Sequence, residues 1–374
     1  MPVLKVMSVI GTRPETIKMA PVIKELQRHP GEIVSSVCAT AQHREMLDQM
    51  LDVFDISPDY DLNLMQPGQT LSQFTARALT ALDEVIARAQ PDWVLVQGDT
   101  TTVMTASLVA YYHQVQVGHV EAGLRTGDKF APFPEEMNRR IADVLADLYF
   151  APTEGNRQNL LREGVPARSI VVTGNTVVDA LMMTARRVGE RPVSVLEAHG
   201  DRRLILVTAH RRENFGAPLR NICRALAEIA HRYRDDVHIV YPVHLNPNVQ
   251  RPVHEILDGI SNVSLIEPVN YETFVGLMSR AYLILTDSGG LQEEAPSLDK
   301  PLLVFREVTE RPEATGLGAA RLVGTERETI VRETVRLLED SAAYEEMARV
   351  PNPYGDGCAS QRIVQAILTH SNNS

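Results

Sequence analysis

The sequence predicts an α/β protein made of two doubly wound domains that face each other across a central cleft. Short, continuous apolar segments alternate with segments of helical periodicity along the whole chain. Continuous apolar runs of strand length are typical of parallel strands that are buried on both faces, and parallel neighbours need a helix between them. The alternation restarts after the polar, Arg-rich residues 186–203, and 374 residues are too many for one ordinary core.

Composition excludes several classes of protein. The chain is 44% hydrophobic and 23% charged, as in ordinary globular proteins. A net charge of −11 without a basic tail or stripe argues against nucleic acid as a partner. Because no apolar run is long enough to cross a membrane and Met1 leads directly into a strand, we expect no membrane span and no signal sequence. The three cysteines form no CxxC pair, which indicates inert thiols in a reducing cytoplasm.

The first half contains six predicted strands. Val3–Ile10 is a continuous apolar run, and Pro14 in the following turn suits the start of a helix. The isolated Asp59-Tyr60-Asp61 is interpreted as a loop and not as a metal–nucleotide clamp. The other predicted strands are Ile33–Thr40, Trp93–Val96, Val115–Val120, Leu148–Ala151 and Ile170–Thr173. The predicted helices include Arg44–Phe54, Leu71–Ala89 and a helix up to about Tyr112, and Pro132–Ala146 is predicted to be a loop followed by a helix.

The second half repeats the pattern. Its predicted strands are Leu204–Thr208, Val237–Val243, Val263–Ile266, Tyr282–Thr286 and Pro301–Phe305. We place the hinge near residues 176–191, which gives a first domain of residues 1–175 and a second of residues 176–357. A last helix within residues 358–374 is expected to pack back on the first domain.

Ionisable side chains follow nearly every predicted strand. Ligands of open parallel sheets bind beyond the carboxyl ends of the strands, so these residues are expected to surround a ligand. Ser288-Gly289-Gly290 follows a strand and starts a helix, whose free N–H groups suit phosphate, while Glu293 and Glu294 one turn later suit sugar hydroxyls. The other strand-end residues are Arg13, Lys18, Asp99, Glu121, Arg125, His210, Arg211 and His244.

Motifs for other chemistries are absent from the sequence. It contains no GxxxxGK[ST], no GxGxxG after the first strand, and neither HExxH nor clustered Cys and His. We therefore expect no P-loop, nicotinamide cofactor or zinc site, and no metal or other cofactor. Arginine, lysine and histidine must then neutralise the phosphate charge.

Seven motifs together resemble those of bacterial non-hydrolysing UDP-N-acetylglucosamine 2-epimerases. They are Gly11-Thr12-Arg13-Pro14-Glu15, Gly98-Asp99-Thr100-Thr101, His119-Val120-Glu121-Ala122-Gly123-Leu124-Arg125-Thr126, Pro134-Glu135-Glu136-Met137-Asn138-Arg139, His210-Arg211-Arg212-Glu213-Asn214, Asp287-Ser288-Gly289-Gly290-Leu291-Gln292-Glu293-Glu294 and Thr309-Glu310-Arg311-Pro312-Glu313. The resemblance implies a GT-B fold of two Rossmann-like domains and a cytoplasmic homodimer. It also implies interconversion of UDP-GlcNAc and UDP-ManNAc, by elimination and re-addition of UDP, for surface polysaccharide synthesis.

The resemblance also implies roles for individual residues. The catalytic set is Asp99, Glu121, Glu135, Arg139 and His210. The substrate-binding set is Arg13, Lys18, Phe274, Ser288, Gly289, Gly290, Glu294 and Arg311. A second, activating UDP-GlcNAc site is associated with Gln42, His43, Arg211 and His244.

Three alternatives remain open at this point. A retaining glycosyltransferase of the same fold would share the UDP site but need an acceptor groove. A hydrolysing epimerase would release UDP and free ManNAc. A UDP-sugar-binding regulator would bind the ligand without turnover and would tolerate loss of Asp99 or Glu121.

Overall fold

A computed structural model describes residues 3–40, 44–189, 200–309 and 311–373. The chain divides into two compact units, one formed by Met1–Ala180 with Tyr354–Ser374 and the other by Leu181–Pro353. Each unit is built on a parallel sheet, so the α/β prediction is confirmed. Within the described ranges, no helix is long and apolar enough to cross a membrane.

The first unit contains a sheet of seven described strands. Its order is β3-β2-β1-β4-β5-β6-β7, so the winding direction reverses between β1 and β4. The strands are β1 Leu4–Ile10, β2 Ile33–Ala39, β3 Tyr60–Asp61, β4 Trp93–Gln97, β5 Gln116–Val120, β6 Leu148–Ala151 and β7 Ile170–Val172. Every residue of β4 is buried, as expected for a central parallel strand covered on both faces.

The helices of the first unit follow the strands in alternation. Thr70 caps α3 and Thr100 caps α4, each accepting a hydrogen bond from a backbone N–H of the first turn. The helices are α1 Arg13–Gln27, α2 Arg44–Val53, α3 Leu71–Ala89, α4 Thr101–Tyr112, α5 Glu135–Leu145 and α6 Glu154–Arg162, with a 3₁₀ turn at Ala167–Ser169. A further helix, α7 Thr176–Val188, begins in this unit and continues past its boundary at Ala180.

The second unit contains a sheet of six described strands in the order β10-β9-β8-β11-β12-β13. Its strands are β8 Arg203–Thr208, β9 Val237–Pro242, β10 Val263–Ile266, β11 Leu283–Thr286, β12 Leu302–Val304 and β13 Ala320–Leu322. Its helices are α8 Ala217–Arg232, α9 Pro247–Leu257, α10 Tyr271–Arg280, α11 Gly289–Glu294, α12 Pro312–Leu317, α13 Arg327–Glu339 and α14 Ser341–Ala348, with 3₁₀ turns at Arg212–Asn214 and Ala295–Leu298.

The last helix, α15 (Ala359–Asn373), belongs to the first unit. The carboxylate of Asp179, in α7, accepts hydrogen bonds from the backbone N–H groups of Ala359 and Ser360 at 3.2 and 2.8 Å and from the Ser360 hydroxyl at 2.6 Å. Near the other end of α15, Ser371 Oγ accepts a hydrogen bond from the indole of the fully buried Trp93 at 3.0 Å. Both ends of the helix are therefore bound to the first unit.

Two edge strands differ from the sequence prediction. Tyr60–Asp61 forms β3 and pairs in parallel with Cys38 and Ala39 of β2, so the interpretation of Asp59-Tyr60-Asp61 as a loop was wrong. β13, at the edge of the second sheet, was not predicted. Strands of two or three residues carry too little pattern to be recognised, and each is defined by the neighbour with which it pairs.

Candidate active site

The candidate catalytic residues of the first unit lie at the switch point of its sheet. The turns after β1, β4 and β5 carry Gly11, Asp99 and Glu121, and these three strands are neighbours in the order β1-β4-β5. Ligands of doubly wound sheets bind where the strand order reverses. A side chain at Gly11 would collide with the hydroxyl groups of Thr40 and Thr102, so close packing requires glycine at the end of β1.

Glu121 is held by three side chains. Lys18 Nζ lies 2.5 and 2.7 Å from the two carboxylate oxygens. Asn175 Nδ2 donates to Oε1 at 3.1 Å, and Gln97 Nε2 donates to Oε2. The Glu121 side chain is only 8% exposed. Its backbone has a φ of +67°, a left-handed conformation that costs a non-glycine residue about 1–2 kcal/mol and that is typical of functional sites.

Asp99 is more accessible than Glu121, with 34% of its side chain exposed. Its Oδ2 accepts a hydrogen bond from Arg139 Nη2 at 2.5 Å, and its backbone carbonyl accepts one from Asn138 Nδ2 at 3.0 Å. Both donors belong to α5. One helix therefore fixes both the side chain and the main chain of Asp99.

The acid pair at the start of α5 splits into an accessible and a buried member. Glu135 is half-buried, whereas Glu136 is fully buried. Glu136 Oε2 accepts a hydrogen bond from the backbone N–H of Thr126 at 3.2 Å and lies 3.6 Å from Arg139 Nη1. Arg139 thus lies between Glu136 and Asp99. Of the two glutamates, Glu135 is the one that a substrate can reach.

Glu15, a further buried carboxylate, lies next to this site and was not among the residues predicted to have a role. Its Oε2 accepts hydrogen bonds from the backbone N–H groups of Gly11 and Thr12 at 2.5 and 2.9 Å, and its Oε1 accepts one from the Thr100 hydroxyl. Burial raises the pKa of Glu15 to about 7, although these three hydrogen bonds lower it; the charge of Asp99 adds a further increase. Glu15 joins the turn after β1 to the turn after β4.

The two basic candidates of the first unit have different surroundings. Lys18 is paired with Glu121, so its charge is already matched by a catalytic candidate. Arg13, the first residue of α1, is half-buried, and its guanidinium forms no ion pair with any residue in the described ranges. Arg13 is therefore available for an anionic ligand.

In the second unit, Asp287 organises the turn after β8. This fully buried carboxylate accepts hydrogen bonds through Oδ2 from the backbone N–H groups of His210 and Arg211, both at 2.8 Å, and from Asn214 Nδ2 at 3.0 Å. The side chains of His210 and Arg211 project from a fixed backbone as a result. Sequence reasoning quoted Asp287 in a motif but missed this role.

His210 stacks on His244, with ring centroids 5.5 Å apart and an interplanar angle of 11°. Burial lowers the pKa of His210 below its ordinary value; Asp287 opposes this change, and His244 and Arg211 add to it. Near pH 7, His210 is consequently a neutral imidazole that can donate one hydrogen bond. His244 Nδ1 accepts a hydrogen bond from the backbone N–H of Asn246 at 3.1 Å.

The remaining candidates of the second unit surround the start of α11. Ser288 is its N-cap, and the helix continues from Gly289 and Gly290 into a 3₁₀ turn. Glu293 Oε1 accepts a hydrogen bond from Arg311 Nε at 2.8 Å, which connects α11 to the turn before α12. Glu294 is 9% exposed, and Phe274 in α10 is half-buried.

Some sequence-based candidates lie outside the described residues. These are Gln42 and His43 of the activating site, and also Glu310. Among the residues that the structure describes, no group of three or more His, Cys, Asp or Glu side chains could hold a metal ion.

The chain is similar to known proteins over nearly its whole length. A family model described as UDP-N-acetylglucosamine 2-epimerase matches residues 24–368. The chain is 55% identical over 371 residues to the UDP-N-acetylglucosamine 2-epimerase of Escherichia coli K12, with coverage of 97% of this chain and 98% of the relative.

Two solved structures extend the comparison. The UDP-GlcNAc 2-epimerase from Neisseria meningitidis bound to UDP-GlcNAc is 50% identical, with a TM-score of 0.86 over 98% of this chain and 100% of that one. The enzyme from Methanocaldococcus jannaschii in complex with UDP-GlcNAc and UDP is 35% identical, with a TM-score of 0.77 and the same coverage. The GT-B fold class is confirmed. The chain belongs to the UDP-N-acetylglucosamine 2-epimerase family.

Proposed function

We propose that the protein is a non-hydrolysing epimerase that interconverts UDP-GlcNAc and UDP-ManNAc. The observation that carries the proposal is the set of carboxylates at the switch point of the first unit. Asp99 and Glu121 each have a bound cationic partner there, and Glu135 begins a neighbouring helix. Acid/base chemistry at one carbon from two sides needs such a set.

The proposed chemistry follows from the substrate. The C2 proton of the sugar is not adjacent to a carbonyl, so a side chain cannot remove it directly. When the C1–O bond breaks, its electron pair leaves with UDP, and C1 develops oxocarbenium character. The C2 proton then becomes acidic enough to pass to a carboxylate, which gives 2-acetamidoglucal. UDP adds back to C1, and a proton delivered to the opposite face of C2 completes the inversion.

In this proposal the first unit supplies the acid/base groups. Asp99, Glu121 and Glu135 are the candidates for removing and returning the C2 proton. Arg139 holds the Asp99 carboxylate, and Lys18 holds that of Glu121. Carboxylates that are already held in place need no reorganisation when the proton is transferred, and such preorganisation of the site contributes to catalysis.

The second unit is proposed to bind UDP. The N-terminus of the helix at Ser288-Gly289-Gly290 suits a phosphate group, and Glu294 suits ribose hydroxyls. Phe274 offers a ring for the uracil base. Leaving UDP would receive a hydrogen bond from neutral His210 and positive charge from Arg311, so that no cofactor is required.

Homodimer formation and a cytoplasmic location are also proposed. Tyr111 and Tyr112, at the end of α4, are 60% and 67% exposed, and Val144 in α5 is 82% exposed, which are features of an interaction surface. The cysteines in the described ranges are free thiols, as expected in a reducing compartment. Light scattering should give twice the 41.5 kDa chain mass, and Val144→Asp should give the monomer. A monomeric wild-type protein would contradict the dimer.

The second UDP-GlcNAc site is a separate proposal. The supporting observation is that two residues lie next to His210: Arg211 follows it in sequence, and His244 stacks on its ring. Initial rates should depend sigmoidally on UDP-GlcNAc concentration, and Arg211→Ala should remove the sigmoidal shape. A hyperbolic dependence in the wild-type protein would reject the site.

The experiment that tests the proposed function is product analysis by anion-exchange chromatography. Purified protein and UDP-GlcNAc, without added metal or nicotinamide, should give a stable mixture with UDP-ManNAc. Accumulating UDP and free ManNAc would indicate a hydrolysing enzyme. Turnover only with an added acceptor would indicate a transferase, and binding without turnover a regulator. Asp99→Asn is the matched control, since it should bind UDP-GlcNAc as the wild type does but convert it far more slowly.

A further inference from the structure

A buried histidine lies directly behind the turn that carries Asp99. His119, in β5, is fully buried; its Nδ1 lies 2.6 Å from Asp143 Oδ1, and its Nε2 lies 2.8 Å from the carbonyl oxygen of Gly98. A carbonyl oxygen can only accept a hydrogen bond. The other oxygen of Asp143 accepts hydrogen bonds from Arg125 Nη2 at 2.7 Å and from the backbone N–H of Gly123 at 3.4 Å. Both ring nitrogens of His119 therefore donate.

The electrostatics of this buried pair agree with the geometry. Burial alone would lower the pKa of His119, but the ion pair with Asp143 and the hydrogen bonds to Asp143 and Gly98 raise it above its ordinary value, against the opposing charge of Arg125. Burial alone would raise the pKa of Asp143, but His119 and Arg125 hold it below its ordinary value. The pair is an imidazolium and a carboxylate.

The pair completes a three-point attachment of the Asp99 turn to α5. Asn138 donates to the Asp99 carbonyl and Arg139 to its carboxylate. Asp143, one turn further along the same buried face of α5, reaches the Gly98 carbonyl through His119. Gly98 has a φ of +82° and donates its N–H to the Val120 carbonyl at 3.0 Å. His119 therefore fixes the peptide group that immediately precedes Asp99.

We propose that His119 and Asp143 are positioning residues of the epimerisation reaction, which orient Asp99 through the Gly98 carbonyl. The proposal rests on the proposed function. Neither side chain contacts a ligand, because His119 is 0% and Asp143 3% exposed. A displacement of a reacting group by about 1 Å can cost on the order of 10²-fold in rate. Loss of the His119–Gly98 hydrogen bond should therefore lower kcat and leave KM almost unchanged.

Two substitutions of the same residue separate its two hydrogen bonds. The side-chain nitrogen of glutamine can take the place of Nε2, so His119→Gln keeps the bond to Gly98 and loses that to Asp143. The nitrogen of asparagine takes the place of Nδ1, so His119→Asn keeps Asp143 and loses Gly98. We expect kcat to fall roughly 100-fold in His119→Asn and less than about tenfold in His119→Gln, with KM for UDP-GlcNAc within about twofold in both.

Two controls separate positioning from loss of stability. His238→Gln replaces another buried histidine, in β9 of the second unit, and should leave kcat of the folded protein unchanged. In an Asp99→Asn background, His119→Asn should cost less than about threefold further, because it acts through Asp99. A full 100-fold loss in that background, or equal losses in His119→Asn and His119→Gln, would overturn the proposal.

Hydrogen–deuterium exchange gives a readout that does not depend on turnover. The peptide covering residues 97–103 should exchange faster in His119→Asn than in His119→Gln and wild type, while peptides of the second unit should be unchanged. Equal exchange in all three proteins would overturn the proposal. If the wild-type protein does not epimerise UDP-GlcNAc, the proposed function fails, and this exchange pattern still decides whether His119 holds the Asp99 turn.

Discussion

Glu15 provides a quantitative test of the electrostatics at the switch point of the first unit. The residue is 3% exposed, and its carboxylate accepts hydrogen bonds from three donors, the N–H groups of Gly11 and Thr12 and the Thr100 hydroxyl. Glu15→Gln conserves the shape and can satisfy the same groups, because the amide oxygen accepts from the two N–H groups and the amide nitrogen donates to the hydroxyl. The substitution therefore removes only the ability to titrate.

The expected magnitude follows from the change in pKa on folding. Between the ordinary pKa of 4.5 and the folded value of about 7, the folded chain holds a proton that the unfolded chain has lost. Stability must fall as pH rises through this window. At 1.36 kcal/mol per pKa unit, the full loss above pH 7 is about 3 kcal/mol. The uncharged amide of the Glu15→Gln variant causes no such loss. The free energy of unfolding of the variant relative to that of the wild type should therefore rise by about 3 kcal/mol between pH 4.5 and pH 8.

Trp93 makes the measurement specific for the first unit. It is the single tryptophan of the chain and is fully buried in β4. Urea unfolding followed by its fluorescence at several pH values gives the free energy of unfolding of that unit for both proteins. The control is Glu84→Gln, at an exposed position in α3. Its free energy of unfolding relative to the wild type should change by less than about 0.5 kcal/mol over the same pH range. A Glu15→Gln difference that is independent of pH would refute the assignment of a raised pKa.

Three further substitutions test other contacts. Lys18→Met leaves the buried Glu121 without its cation and should cost about 3 kcal/mol of unfolding free energy and lower kcat; an unchanged unfolding midpoint would contradict the pairing. Asp179→Ala removes the acceptor for the first turn of α15 and should cost about 2 kcal/mol and speed proteolysis of that helix; a wild-type rate would contradict it. Asp287→Ala leaves the His210 N–H without its acceptor, and we expect KM for UDP-GlcNAc to rise about tenfold, with an unchanged KM as the contrary result.

The strands that are buried on both faces were predictable from the sequence. β4 is apolar up to Val96, and β1 is mostly apolar with Lys5 and Ser8 as its polar residues, so the pattern of each strand can be recognised without knowledge of the neighbours. β3 and β13 were missed because strands of two and three residues exist only through pairing with β2 and β12. The exact boundaries of the two units rest on contacts that no local pattern contains.

The rule that ligands bind beyond the ends of parallel strands identified the candidate carboxylates but not the contacts that hold them. Asp99 and Glu121 follow strands, so their position relative to the sheet could be inferred. Lys18 and Glu121 are 103 residues apart in sequence, and their pairing depends on how α1 packs against the sheet. His119 offered a weak signal, since a histidine inside the apolar strand β5 must find a buried partner. Its partner, Asp143, is visible only in the folded chain.

The most direct test of reversible elimination is proton NMR of the protein with UDP-GlcNAc in D₂O. If the C2 proton is lost to a carboxylate and replaced from the other face, UDP-ManNAc must appear with deuterium at C2. The UDP-GlcNAc that remains should also lose its C2 proton signal as the reaction approaches equilibrium. UDP-ManNAc that keeps the original C2 proton would contradict elimination and re-addition. It would also remove the role proposed for Asp99, Glu121 and Glu135.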